Sequence, residues 1–393
     1  YQGLMKALKG LVKTGPFPTP TLFSGPGSSR ELCEAIAQMG MHRILSVTDA
    51  MLVEIGLLKD IEKALTKHGV RYAIFDGVQP DPTIEQIESG LKAYHRERCQ
   101  AILAVGGGSS IDAAKVIAAR VTNDKPVSRM EGFFRIFSAI APLYAVPTTA
   151  GTGSEVTIAA VVSDPKNKKK MSVIDPKLMP HLAALDGALM TGLPAPITAA
   201  TGMDALTHAI EAYISTNALP ETDSYAMAAT RLIFENLPRA VHKGSDLEAR
   251  QRMAMASHYA ALAFTRAGVG YVHAISHQFG ARYHTPHGLG NAIVLPYVLE
   301  YSKRSCSRRL AQLGDAAGLR QKGDRAPKLA DRFIERIREM NDEFGIPDTL
   351  EALAAEDIPE IAEAALKEAH YTYAVPRYMD QRTCEKLVRK MVA

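Results

Sequence analysis

The sequence predicts an α/β N-terminal domain with a parallel sheet, followed by an all-α C-terminal domain. Three observations predict it. Short apolar runs alternate with amphipathic helical stretches through the first half of the 393 residues. From about Pro194 strand signals nearly vanish, and helical periodicity rich in Ala, Met and Leu takes over. Between the two regimes "GLPAP" (Gly192 to Pro196) places two prolines close enough to break a regular element. A chain this long exceeds one ordinary core, so domains at 1–193 and 194–393 are expected.

In the first half, "RILSVTD" (Arg43 to Asp49), "RYAIFDG" (Arg71 to Gly77), "AILAVGGG" (Ala101 to Gly108) and "APLYAVPTT" (Ala141 to Thr149) are apolar and end in turn residues, the mark of buried strands. "MLVEIGLLKDIEKALTKHG" and "TIEQIESGLKAYHRERC" lie between them with helical period and charged outer faces. Strands joined through helices pair in parallel and are covered on both faces, and such sheets bind ligands at the carboxyl ends of their strands. In the second half, "ITAATGMDALTHAIEAYIS", "DSYAMAATRLIFENLPRAV", "ARQRMAMASHYAALAFTRAG" and "APKLADRFIERIREMNDEFG" all read as helices.

Composition narrows the function. A net charge of +4 and the lack of a basic run interleaved with aromatics exclude a nucleic-acid partner. The clusters "KNKKK" (Lys166 to Lys170) and "SRR" (Ser307 to Arg309) are short and read as solvated loop or helix faces. Cys33, Cys99, Cys306 and Cys384 form no CxxC pair, which argues for packing in a reducing compartment and against a disulfide framework or thiolate cluster. No signal-peptide pattern is read at the start, and no apolar stretch reaches the roughly 18 to 20 residues that span a bilayer. The expectation is a cytoplasmic protein with no membrane contact and a small-molecule substrate.

Two loops suit phosphate. "AILAVGGGSSIDAAK" puts three glycines between an apolar strand and a helix, where backbone can approach a pyrophosphate and the helix offers unpaired N–H groups. Ser109 or Ser110 could cap that helix and donate to phosphate. "PTTAGTGSEVT" (Pro147 to Thr157) follows the next strand and adds hydroxyls to glycines. Two acids at strand ends, Asp49 and Asp76, could grip a ribose and favour NAD over NADP; spacing does not choose between them.

The helical half concentrates histidine. "GYVHAISHQFGARYHTPHGLGNA" carries His273, His277, His284 and His287, four of the twelve in the chain. Upstream, "GMDALTHAIEAY" sets Asp204 and His208 four apart, on one helix face. His273 and His277 share a face in the same way, and Pro286 ends that helix, so "TPHGLG" turns His287 back as a loop ligand. One carboxylate with imidazoles suits divalent iron or zinc and leaves room for a substrate oxygen. Which two of His273, His277 and His287 join Asp204 and His208 stays open on spacing alone. His284 reads as an exposed loop residue. Phe264 and Phe279 read as core residues rather than substrate-pocket walls.

Taken together, "GGGSSIDAAK", "PTTAGTGSEVT", "GMDALTHAIEAY" and "HAISHQFGARYHTPHGLGNAIVLP" resemble the iron-containing (group III) alcohol dehydrogenase family, from about "LFSGPGS" to the last helices. The resemblance implies Asp204, His208, His273 and His287 as metal ligands. It implies His277 as a non-ligand histidine near nicotinamide and substrate, the catalytic candidate. On the cofactor side it implies Asp49 for the adenosine ribose, Gly106, Gly107, Gly108 and Ser109 for the pyrophosphate, Asp112, Thr148, Thr149 and Thr157 around the second loop, and Lys170 directed at the cofactor. Two departures stand out: Asp81 where some relatives have Asn, and Ile158, Ala159 and Ala160 where relatives often place a polar side chain. The implied activity is NAD-dependent, metal-assisted hydride transfer on a small alcohol or aldehyde, by a homodimer or higher homo-oligomer. Alternatives are a polyol dehydrogenase or dehydroquinate synthase-like enzyme of the same architecture, a metal-dependent hydrolase, and an NAD- and metal-binding sensor without turnover.

Overall fold

The computed structural model describes residues 18–167 and 169–393. It divides into two compact units, one ending at Gly192 and the other beginning at Leu193.

The first unit is built on a six-stranded sheet. Strands β1 (Thr21–Ser24), β2 (Arg43–Val47), β3 (Arg71–Phe75), β4 (Ala101–Gly106), β6 (Leu143–Pro147) and β9 (Leu182–Leu185) lie in the order β1-β9-β6-β4-β2-β3. Every pairing is parallel. Side chains alternate between faces along a strand, and both faces are apolar here. Leu45, Val47, Ile102 and Ala104 enter one core, with Ile87 and Tyr94 of α4 (Ile84–Arg96) and the apolar side of α5 (Gly108–Thr122). Ile44, Leu103 and Val105 enter the other, with Leu32 and Ile36 of α1 (Ser28–Gln38) and Ile61 and Leu65 of α3 (Lys59–Lys67). Burial on both sides is why these strands read as continuous apolar runs.

The chain leaves β2 towards one edge of the sheet and leaves β4 towards the other. A crevice therefore opens at the carboxyl ends of these two neighbouring strands, the place where open α/β sheets take ligands. Thr48 and Asp49 stand at the end of β2, and Gly107 and Gly108 at the end of β4.

The single helix expected over Met51 to Gly69 is two, α2 (Ala50–Glu54) and α3. Gly56 separates them with φ +71°, a conformation glycine takes at little cost. The basic cluster "KNKKK" reaches into strand β8 (Lys169–Ile174), which pairs antiparallel with β7 (Ala159–Asp164) and parallel with β5 (Gly132–Phe133) in a second, three-stranded sheet. The sequence pattern suggests a solvated loop or helix face for these lysines. Lys169 and Lys170 are indeed exposed, but on a strand.

In the second unit the described residues form helices α6 (Ala195–Ile214), α7 (Pro220–His242), α8 (Leu247–Ala267), α9 (Tyr271–Tyr283), α10 (His287–Ala316), α11 (Ala326–Glu343), α12 (Ile358–Thr372) and α13 (Gln381–Val388). Pro196 sits in the first turn of α6, where no N–H is needed. Most of α6 is buried, its small alanines letting neighbouring helices close around it. Among the described residues, no helix is long and apolar enough to cross a membrane.

Candidate active site

Asp204 and His208 stand one turn apart on α6, and His273 lies in the first turn of α9. The fourth residue corrects an expectation. His287 is not a loop ligand; it is the first residue of α10, behind Pro286 at the N-cap. Helix α9 ends at Tyr283 because His284 takes the left-handed conformation (φ 55°), so only Thr285 and Pro286 separate His284 from the start of α10. Gly288 permits this geometry: a Cβ there would stand 2.4 Å from the backbone oxygen of Ala200, one turn before Asp204.

One donor atom from each of Asp204, His208, His273 and His287 lies within 4.8 Å of all the others. From Asp204 Oδ1, the Nε2 atoms are at 3.9 Å (His208), 3.8 Å (His273) and 3.5 Å (His287). A tetrahedral shell with bonds of about 2.1 Å needs donors about 3.4 Å apart, so the spacing fits one divalent ion. The first three residues are buried, while His287 is open on one side. Burial and the neighbouring imidazoles of His208, His287 and His277 push His273 well below the ordinary histidine range, which keeps its lone pair free for a ligand bond.

A second observation tests the fit. The amide nitrogen of Asn291, on a fully buried side chain, donates to Asp204 Oδ1 at 2.7 Å and faces Nε2 of His273 and of His287, each at 3.2 Å. The nitrogen has only two protons for three neighbours, whereas a single cation can face all three.

His277 follows His273 by one turn but points elsewhere. Its Nδ1 is 2.7 Å from Glu368 Oε1, and its ring stacks on His287 with centroids 5.4 Å apart. Because a carboxylate only accepts, Nδ1 carries the proton and Nε2 is left as the acceptor. Phe264 stacks on the ring of His208 at 4.2 Å, whereas Phe279 is wholly buried core.

In the α/β unit, no side chain caps the start of α5, so the turn after β4 leaves the first helical N–H groups for an anion. The second loop lies directly over it. A Cβ on Gly107 would meet Thr149 at 3.5 Å, and one on Gly108 would strike Thr152 at 2.7 Å. The buried Thr148 donates its N–H to Gly106 O at 3.0 Å. Asp49, at the end of β2, accepts from the Leu52 N–H at 3.0 Å and so caps α2. Asp76 follows β3, one strand further out. Ser109 is half-buried in the first turn of α5, and Ser110 packs under Gly106.

Three further residues are engaged by the protein itself. Asp112 accepts from Ser154 Oγ (2.5 Å) and from the Val161 N–H (2.9 Å). Thr157 is buried against Lys115. The ammonium of Lys170 is 2.8 Å from Asp81 Oδ1, so the acid that departs from some relatives partners the lysine.

Profiles of two families match consecutive parts of the chain: iron-containing alcohol dehydrogenase over residues 18–187, and the C-terminal part of the Fe-containing alcohol dehydrogenase family over residues 198–392. The chain belongs to the iron-containing alcohol dehydrogenase family. It is accordingly an NAD-dependent, metal-dependent oxidoreductase of the alcohol dehydrogenase or aldehyde reductase type. It is 38% identical to the NAD-dependent methanol dehydrogenase of Bacillus methanolicus, over 96% of this chain and 99% of that protein. It is 35% identical to the lactaldehyde reductase of Escherichia coli, over 88% and 91%. A crystal structure of 1,3-propanediol oxidoreductase superimposes with a TM-score of 0.93 at 37% identity, over 96% of this chain and 99% of that one.

Three supporting residues of this iron-containing alcohol dehydrogenase escape a reading of its motifs. Glu211, buried on α6, accepts from the N–H groups of Gly270 and Val272, each at 2.8 Å, and from His273 Nδ1 at 2.6 Å. Burial pushes its carboxyl up to about 7 against those hydrogen bonds. Asn291 lies one turn beyond His287 and Glu211 two turns beyond Asp204, so both spacings carry a signal. Glu368 carries none, since 91 residues separate it from His277.

Proposed function

We propose that this iron-containing alcohol dehydrogenase transfers hydride reversibly between NAD(H) and a small primary alcohol or aldehyde, with Asp204, His208, His273 and His287 holding Fe²⁺. The carrying observation is the convergence of these four donors on one side-open point, the three imidazole Nε2 atoms lying 3.5 to 3.9 Å from Asp204 Oδ1. A divalent metal held there would lend Lewis acidity to the alcohol or carbonyl oxygen, and NAD would accept or return the hydride.

The chain's own residues do the rest. Glu211 fixes the tautomer of His273, presenting Nε2 to the metal point. His277, with Nδ1 committed to Glu368, keeps Nε2 as the atom that takes the hydroxyl proton or returns it. The uncapped start of α5 and the hydroxyls of Thr148 and Thr149 receive the pyrophosphate, and Asp49 receives the ribose. A homodimer is the form that closed symmetry favours. The four free, buried cysteines support a reducing, cytoplasmic address.

The test is consumption of NADH with aldehydes of graded chain length, including hydroxy- and diol-derived ones, before chelation, after it, and after adding back Fe²⁺ or Zn²⁺. Turnover should vanish with the metal and return with it. NADH oxidation that ignores chelation refutes the reading.

A further inference from the structure

The chain between α5 and β6 serves neither the metal point nor the glycine turn. It runs at the amino ends of the sheet strands, opposite the ligand crevice. In its middle Phe133, Phe134 and Phe137 are 41%, 39% and 77% exposed, and Phe137 is the most exposed large apolar side chain among the described residues. Ile136, set between them, is buried. Apolar surface gathered in one exposed patch marks a contact with another body.

The rings are not left outside by a slack loop. The Phe134 N–H donates to Ile174 O at 2.9 Å, and the Ile136 N–H to Asp175 Oδ2 at 3.3 Å. Asn123 Oδ1 accepts from the N–H groups of Phe137 (3.1 Å) and Ser138 (2.9 Å). Two ammonium groups hold the carbonyls: Lys125 donates to Arg135 O at 2.9 Å and Lys177 to Ile136 O at 3.1 Å. Lys125 Nζ also lies 4.7 Å from the centroid of the Phe137 ring. Phe134 takes φ +57°, a left-handed backbone that a bulky side chain adopts under strain and asparagine or glycine adopts readily. The loop is thus fixed from several sides with its rings turned out.

Charge says what fits. Of the acids near the rings, Glu131 is paired with Lys169 and the buried Asp175 with Lys177. That leaves Lys125, Arg129 and Arg135 on the same segment against one exposed acid, Asp124. A second copy docked about a two-fold axis would set these cations against themselves. A fluid interface takes projecting rings without a matching groove, and anionic headgroups take the cations. From this geometry we infer that the 133–137 loop is a peripheral docking site for an anionic lipid bilayer: Phe133, Phe134 and Phe137 enter the headgroup boundary while Lys125, Arg129 and Arg135 meet acidic headgroups. One loop of this size gives a reversible contact, far weaker than a spanning helix.

The experiment sediments the full-length, metal-loaded protein with vesicles of phosphatidylcholine alone or of phosphatidylcholine mixed with phosphatidylglycerol. Wild type should partition onto the mixed vesicles, not onto the neutral ones, and come off as salt is raised. Phe137→Ser and Arg135→Glu should each weaken partition about tenfold, with the urea midpoint and the rate of NADH oxidation unchanged. Phe134→Asn should weaken partition and raise the urea midpoint, because asparagine relieves the left-handed backbone; a ring that only packs the fold would lower it. Wild type that sediments with neither vesicle overturns the proposal, as does Phe137→Ser that partitions like wild type. Phe137→Ser running as a smaller assembly than wild type on gel filtration, with no vesicle binding by either, makes this face an interface between copies and overturns it as well.

Discussion

Glu211 Oε2 lies 2.6 Å from His273 Nδ1, and both residues are buried. The contact decides which nitrogen of His273 faces Asp204, and the other oxygen of Glu211 is fixed by the Val272 N–H. Replacing Glu211 with Ala leaves the imidazole free to turn and strands two backbone donors. Orienting carboxylates of this kind are worth about 10- to 100-fold in metal affinity. Titration of the chelated protein with Zn²⁺ against a competing dye should therefore show Glu211→Ala binding more weakly by that factor. Affinity equal to wild type would mean that Glu211 only fills space.

Gly288 makes a second prediction because its obstacle is backbone. The Ala200 carbonyl, 2.4 Å from an added Cβ, belongs to α6 and cannot swing aside as a side chain does. Gly288→Ala must push the start of α10 away from α6, carrying His287 off Asp204. Overpacking of this kind costs about 1–3 kcal/mol. The urea midpoint should fall and metal affinity with it, whereas Gly318→Ala, in open space at a positive φ, should cost stability while leaving metal affinity unchanged.

These residues mark how far the sequence can be read. Three of the four strand runs, β2, β4 and β6, and the change of regime near Pro194 are legible because burial on both faces and helical period each leave a local pattern; β3, at the sheet edge and only partly buried, reads as a strand through its Tyr, Ile and Phe. Asp204 with His208 is legible for the same reason, one turn separating them. The small sheet is not, because β8 opens on two exposed lysines inside a basic cluster and β5 is only two residues long. The place of His287 is easily misjudged since a proline can as well begin a helix as end one. Glu368 and Lys115 escape for different reasons. The first meets its partner only through tertiary packing; the second sits in the glycine-turn motif, but its ammonium's partners come from a loop about forty residues away.

Lys115 also predicts a pH dependence. Burial pushes its ammonium down from an ordinary 10.5 to about 8, against the carboxylates of Asp112 and Glu155. Between those values the unfolded chain binds more protons at this position than the folded one, so this group's contribution to stability rises with pH over that interval. A Met at 115 does not titrate. Comparing urea midpoints of wild type and Lys115→Met from about pH 8 to about pH 10, the wild type should gain on the variant by about 2 kcal/mol. A gap that stays constant over the interval would place the lysine in a less costly setting than the structure gives it.

The last prediction separates the proton path from the metal shell. His277 is spaced on α9 as though it were a ligand, but its Nδ1 is spent on Glu368, whose Oε1 also accepts from Tyr373 Oη at 2.6 Å. Burial, and then the Glu368 charge, hold the Tyr373 phenol well above its usual range, so it stays a donor at any working pH. Glu368 is thus fixed from behind and in turn fixes the imidazole. His277→Ala should lower kcat by about 10²- to 10⁴-fold, the usual worth of a general acid–base group, with bound metal at wild-type level by elemental analysis. Glu368→Ala should lower kcat less, without raising the KM for the alcohol, and Glu368→Gln should recover part of the loss because its amide oxygen still accepts from Nδ1. Loss of metal from His277→Ala would instead put His277 inside the shell and one of the four proposed ligands outside it.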